Sequence, residues 1–171
     1  MRLLRHQTRG FSLVEVIIAV GIFATAVAVM LALLASLTRQ AAASADSLAA
    51  LRLPDAIRAE LHRLSQMGGF AALAGQAKPM AAPLPVTLTL VASHDATRIQ
   101  SLSYLPPPPA DQVPQSDRFF LIEAWTFNQA PLAYDPSGVV LVLHVRVSWP
   151  YFTPGPVGDR DQVSFTLSLN R

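Results

Sequence analysis

One carboxylate stands inside an apolar run. From residue 11 to residue 37 the chain reads FSLVEVIIAVGIFATAVAVMLALLASL, and Glu15 is the only charged side chain in it. An ionised carboxylate within a bilayer is unfavourable by about 2.5–3.5 kcal/mol at the centre of a helix, and by less toward an end, so such a residue is normally retained for a partner. Glu15 can act as a counter-charge, and for that it needs a cation. The cations nearest in sequence are Arg2, Arg5 and Arg9, which precede the run with His6, and Arg39, which follows it.

The remaining residues with chemical potential form a thin inventory. His94 precedes Asp95 and His144 falls in an apolar, extended run, but neither is accompanied by a nucleophile elbow, paired metal ligands or a glycine-rich phosphate loop, so no catalytic residue and no cofactor is expected. His62 reads as a solvated helix residue, and His144 as a strand residue facing outward beside Arg146. Asp159 and Asp161, after Gly155, are two carboxylates where calcium prefers six to eight oxygens, so they read as a surface loop with no metal. Pro106 to Pro109 reads as a stiff connector rather than a ligand for a proline-binding domain. With no cysteine, disulfides, thiol nucleophiles and cysteine-held metals are excluded. The formal charge of +2 arises from the leader, and the rest of the chain is close to neutral, which gives no support to nucleic-acid binding.

The element that carries Glu15 is a helix. At about 1.5 Å rise per residue, residues 11–37 reach roughly 40 Å against a hydrocarbon core of about 30 Å. The basic residues before the span and the single Arg39 just after it place the amino terminus in the cytoplasm and the remainder across the membrane. A secretory signal peptide fits poorly, because its apolar region is about 7–15 residues long, even though residues 41–45 supply small side chains for a cleavage site. A plain membrane anchor fits the length but leaves Glu15 unexplained.

A third reading accounts for all of it. The stretch Arg9-Gly10-Phe11-Ser12-Leu13-Val14-Glu15, followed by Val16-Ile17-Ile18-Ala19-Val20-Gly21-Ile22-Phe23-Ala24, resembles the amino terminus of the type IV pilin and type II secretion pseudopilin family. That family has a short basic leader ending in glycine, then phenylalanine, then an apolar helix with glutamate at its fifth position. The resemblance implies that a prepilin peptidase cuts between Gly10 and Phe11 and that the new Phe11 amine is methylated. It also implies that this amine meets Glu15 of a neighbouring subunit in a packed filament, where a low dielectric strengthens the attraction. Gly10, with no Cβ, suits a tight protease site and an unusual backbone just before a helix. The absence of proline between residues 11 and 53 and of a cysteine pair resembles minor pseudopilins more than major pilins.

Beyond the span, residues 38–53 are rich in Ala and Leu, so the helix is expected to continue as a stalk. Pro54 should kink it or begin a second segment, in which Ile57, Leu61 and Leu64 make one apolar face, and Gly68-Gly69 should stop it. All 14 prolines lie at or after residue 54. Alternating or β-branched runs at residues 86–90, 98–105, 118–127, 139–149 and 163–169 read as five strands, with a turn at Asp135-Pro136-Ser137-Gly138. The fold class is therefore α+β: a long amino-terminal helix packed on a carboxy-terminal antiparallel sheet, the arrangement the resemblance also implies. The expected organisation is a leader at 1–10, a transmembrane and assembly helix at 11–37, a helical stalk with a second helical segment at 38–67, and a β-rich globular part at 68–171.

The function this implies is a structural subunit, not an enzyme. It would be anchored by one span in a bacterial inner membrane with its globular part in the periplasm, and would join a secretion pseudopilus or pilus-like fibre as a minor component. Its implied partners are other pilins or pseudopilins, the prepilin peptidase, the inner-membrane assembly platform and the lipid bilayer. The alternative is a membrane-anchored binding or adhesion module that never polymerises; such a protein would tolerate loss of Glu15.

Overall fold

The computed structural model describes residues 12–79, 88–102, 105–107, 109–152 and 160–171. Two units emerge, Met1–Ala45 and Asp46–Arg171. Helix α1, Leu13–Gly68, supplies the described part of the first unit and the opening element of the second. In the first unit the large apolar side chains from Leu13 to Leu37 are all exposed, and no described segment covers them.

In the second unit α1 has one covered face. Ala50, Leu53, Ile57, Leu61 and Leu64 recur three and four residues apart and are fully buried, which is the stripe a helix presents to a sheet. Pro54 lies inside α1 and no second helix begins there. Its missing N–H removes one hydrogen bond, but Leu53 and Ile57 on either side are anchored in the core, so packing holds the helical path. The helix ends at the expected glycines: Gly69 adopts φ +84°, a left-handed conformation that glycine enters without a Cβ penalty. A short helix α2, Phe70–Gln76, follows, which the sequence reading placed within the β-rich part.

Five strands complete the fold: β1 Leu88–Ser93, β2 Ile99–Ser101, β3 Arg118–Thr126, β4 Val140–Trp149 and β5 Asp161–Asn170. They form one antiparallel sheet in the order β2-β1-β3-β4-β5. The α+β arrangement, with a long helix preceding an antiparallel sheet, is as the sequence indicates. Leu88, Leu90, Phe120, Ile122, Leu143 and Val145 project from one face of the sheet into the cluster that contains Leu53, Ile57, Leu61 and Leu64. Residues 86 and 87 of the first expected strand lie outside the described residues. The second expected strand, 98–105, is reduced to Ile99–Ser101; the Leu102 amide still donates to the Thr89 carbonyl at 2.9 Å, and residues 103 and 104 lie outside the described residues.

The proline-rich connector that follows is tied to the helix and to the sheet. Arg63 donates from Nη2 to the Leu105 carbonyl at 2.9 Å while its Nε and Nη2 grip both carboxylate oxygens of Glu60 at 2.7 Å. Further along, the Val113 amide donates to Gln100 Oε1 at 2.6 Å, and Val113 is itself buried. Between them Pro109–Asp111 forms a 3₁₀ turn, so the proline run acts as a braced connector in its described part.

Candidate functional site

The first turn of α1 holds Glu15 in a defined geometry. Ser12 precedes the helix, and its Oγ accepts a hydrogen bond from the Glu15 amide at 3.2 Å. Glu15 reaches back, and its Oε2 accepts from the Ser12 amide at 2.9 Å and the Ser12 hydroxyl at 3.0 Å. This is a reciprocal capping box: serine at the cap and glutamate three residues on satisfy two amides that a helix start otherwise leaves without partners. A carboxylate at this end is also favoured by the helix dipole. The Ser-x-x-Glu spacing was present in the sequence and is the signal by which Ser12 could have been found. Among the described residues Oε1 of Glu15 has no hydrogen-bond partner, so one oxygen is held and the other remains open. Gly10 and Phe11, the expected processing site, lie outside the described residues.

From this cap α1 continues as a long apolar helix. The helix contains an 18-residue window of mean hydropathy 2.8, none of it buried within the chain, so it is long and apolar enough to cross a membrane. Inside the apolar stretch Thr25 turns back on its own helix, its Oγ1 donating to the Gly21 carbonyl at 2.9 Å. Glu15 is therefore the one ionisable side chain among the described residues of this stretch, and it sits at the helix start rather than midway.

The other residues singled out from sequence have local partners. His94 Nε2 lies 2.9 Å from Asp46 Oδ1 and its ring meets Phe119 edge-on at 4.4 Å, which ties the β1–β2 hairpin to α1. Asp95 organises the same hairpin turn: it accepts from Ser93 Oγ, the Thr97 amide and Thr97 Oγ1. The Ser93 hydroxyl, followed by the two Thr97 bonds, pulls its pKa down to about 2. His144 is half-buried on the outer sheet face, 4.9 Å from the Trp125 ring and 6.0 Å from Phe127. Burial, reinforced by the Arg146 charge, lowers its pKa. Arg146 in turn stacks 5.2 Å over Trp125 and is paired with Glu123 at 2.7 Å. His62 remains exposed on α1, and Asp161 is exposed at the start of β5 rather than in a loop; Asp159 lies outside the described residues. Asp135 builds the expected turn, accepting from the Ser137 amide and hydroxyl at 2.8 and 2.7 Å. Among the described residues no group of three or more His, Asp or Glu side chains could hold a metal ion.

The capping box, the leader and the span coincide with a known motif. Residues 5–36 match the family model described as the prokaryotic N-terminal methylation motif. The chain thus carries the segment that marks prepilin-peptidase substrates of the type IV pilin and pseudopilin family. That family is structural rather than enzymatic, and the apolar helix together with the motif fits anchoring in the inner membrane. No curated protein and no solved structure matches the chain.

Proposed function

We propose that this protein is a structural subunit of a type II secretion pseudopilus or type IV pilus-like fibre, present as a minor component. A prepilin peptidase cuts between Gly10 and Phe11, and the Phe11 amine is methylated. The subunit waits in the inner membrane with its amino terminus cytoplasmic and Asp46–Arg171 periplasmic. It then joins neighbouring pilins or pseudopilins through α1 at the assembly platform.

The observation that carries this reading is the Ser12–Glu15 box at the head of an uncovered apolar helix. Ser12 holds Oε2, and Oε1 is left to receive a cation from outside the subunit; a neighbour's Phe11 amine is that cation. In a packed, water-poor bundle, loss of one charge strands the other, which is where the large energetic effect of such a pair lies. Glu15→Ala should therefore leave processing and membrane insertion intact, because insertion loses an unfavourable carboxylate. It should sharply lower crosslinking to neighbouring subunits in cells. Equal crosslinking of variant and wild type would instead favour an anchored module that does not polymerise.

A further inference from the structure

Four arginines are half-buried among the described residues: Arg63, Arg118, Arg146 and Arg160. Arg63 and Arg146 hold the carboxylates of Glu60 and Glu123. Arg118 holds none. Its Nε makes one long contact, 3.4 Å to the Val113 carbonyl, and among the described residues nothing accepts from its Nη1 or Nη2. A cation partly withdrawn from water without an acceptor is unfavourable, so an outside acceptor has something to satisfy there. Arg118 lines a cavity of about 400 Å³, beside the turn of the β1–β2 hairpin, within the range of about 300–1,000 Å³ that small-ligand sites occupy. Arg160 does not line that cavity.

A second arginine joins it. The register shift between Ala92 and Ser93 sets Arg118 directly across from Ser93, and on the other side the Ser93 amide donates to the Arg98 carbonyl at 3.0 Å. Neighbouring strands lie about 4.8 Å apart, so Arg98 and Arg118 flank Ser93 with roughly 10 Å between their backbones, and both line the cavity. The acids in its walls are already engaged. Asp95 is taken up by Ser93 and Thr97. Asp117 accepts from Ser116 Oγ through Oδ1 and from Arg98 Nη2 through Oδ2, each at 3.0 Å. What the two guanidinium groups leave unspent among the described residues is Nη1 and Nη2 of Arg118 and Nε and Nη1 of Arg98. All of that capacity is donor, set out in planar forks that match the paired oxygens of a carboxylate.

We propose that this cavity binds a carboxylate, held by Arg118 and by the free edge of Arg98. Two arginines against Asp95 and Asp117 leave the walls near neutrality, so fork geometry rather than net field selects the ligand, and the affinity is in the millimolar range. Chloride, without paired oxygens, gains little from the same donors. The edge-on rings of His94 and Phe119 give one wall an apolar surface for the carbon next to the carboxylate. That group comes either from a free small acid or from an acidic side chain of another polypeptide. The site lies wholly within Asp46–Arg171 and goes beyond the assembly reading without resting on it.

The test uses the full chain in uncharged detergent micelles, titrated with sodium acetate against sodium chloride at matched ionic strength and followed by NMR at the arginine Nε–H groups. Acetate should shift Arg98 and Arg118 saturably, and chloride should not. Arg118→Gln should weaken acetate at least tenfold, and Arg118→Lys, which keeps the charge but loses the fork, should weaken it by less. Asp117→Asn frees Arg98 from its acid and should tighten acetate at least threefold, a gain that a misfolded variant cannot produce. A blocked tripeptide with a central glutamate and free succinate distinguish the two sources: binding of either upholds the site and names its ligand. Shifts that never saturate, an equal response to chloride, acetate binding unchanged in Arg118→Gln, or weaker binding in Asp117→Asn would each overturn the proposal. Glu15→Ala should bind acetate as wild type does, which separates failure here from failure of the assembly reading.

Discussion

Arg63→Ala should destabilise the globular unit far more than an ordinary surface substitution. Arg63 keeps 28% of its side chain exposed while its partner Glu60 keeps only 9%, so the pair lies between the surface and the interior. Exposed pairs are worth about 0–1 kcal/mol, whereas removing one member of a buried pair costs about 3–5 kcal/mol, because the remaining charge is left without compensation. Alanine would strand both Glu60 oxygens and also release the Leu105 carbonyl, which sits at φ +41° with the arginine as its tether. An intermediate loss of about 2–3 kcal/mol follows from those two limits. For a domain of this size that corresponds to a fall in Tm of roughly 6–12 °C. Thermal unfolding followed by the fluorescence of Trp125 and Trp149, both in the sheet, measures it. The double variant Glu60→Gln with Arg63→Met should recover most of the loss, since it removes the stranded charge along with the pair. A shift under 2 °C for Arg63→Ala, or a double variant as unstable as the single, would refute the reasoning.

Leu61→Ala, at a fully buried position of α1, should cost about 2–5 kcal/mol in the same unfolding assay. Ser12→Ala removes the cap hydroxyl and should fray the first turn by about 1 kcal/mol, seen as faster amide exchange at residues 13–16 in micelles. His144 should titrate below the ordinary histidine range by NMR. Because its folded pKa is depressed, it withdraws stability as pH falls below about 6.5 toward that lower value, and His144→Gln should flatten this part of the stability profile. Asp95 should stay ionised until about pH 2, so the hairpin turn keeps its hydrogen bonds well below the pH at which an unfolded aspartate protonates.

Periodicity made α1 and four of the strands legible, because burial on one face writes itself into the sequence at spacings of three to four or two. Ile57, Leu61 and Leu64 could be picked out in this way, as could Val163 to Leu169. Pro54 was harder: its backbone chemistry argues for an interruption, and only the tertiary anchoring of Leu53 and Ile57 explains why α1 passes through it. α2 is seven residues of mostly small side chains after a glycine pair, too short for a periodic signal. Glu60 and Arg63 stand three residues apart on one helix, but the Arg63 contact to the Leu105 carbonyl joins residues 42 positions apart and has no local signature. At the candidate site, Glu15 stood out because a charge in an apolar run is unfavourable without a partner. Ser12 is less conspicuous, because the Ser-x-x-Glu spacing of a helix cap is short and common and here coincides with the start of an apolar run.

Processing at the head of α1 is decided by a single measurement. Intact-mass and amino-terminal peptide spectrometry of the protein isolated from bacterial membranes should find a mature chain beginning at Phe11 with one added methyl group on its amine. Co-expression with a catalytically inactive prepilin peptidase should leave the leader attached. A chain that retains Met1 to Gly10 beside the active peptidase, or one that begins within residues 41–46 as a signal peptidase would leave it, contradicts the account.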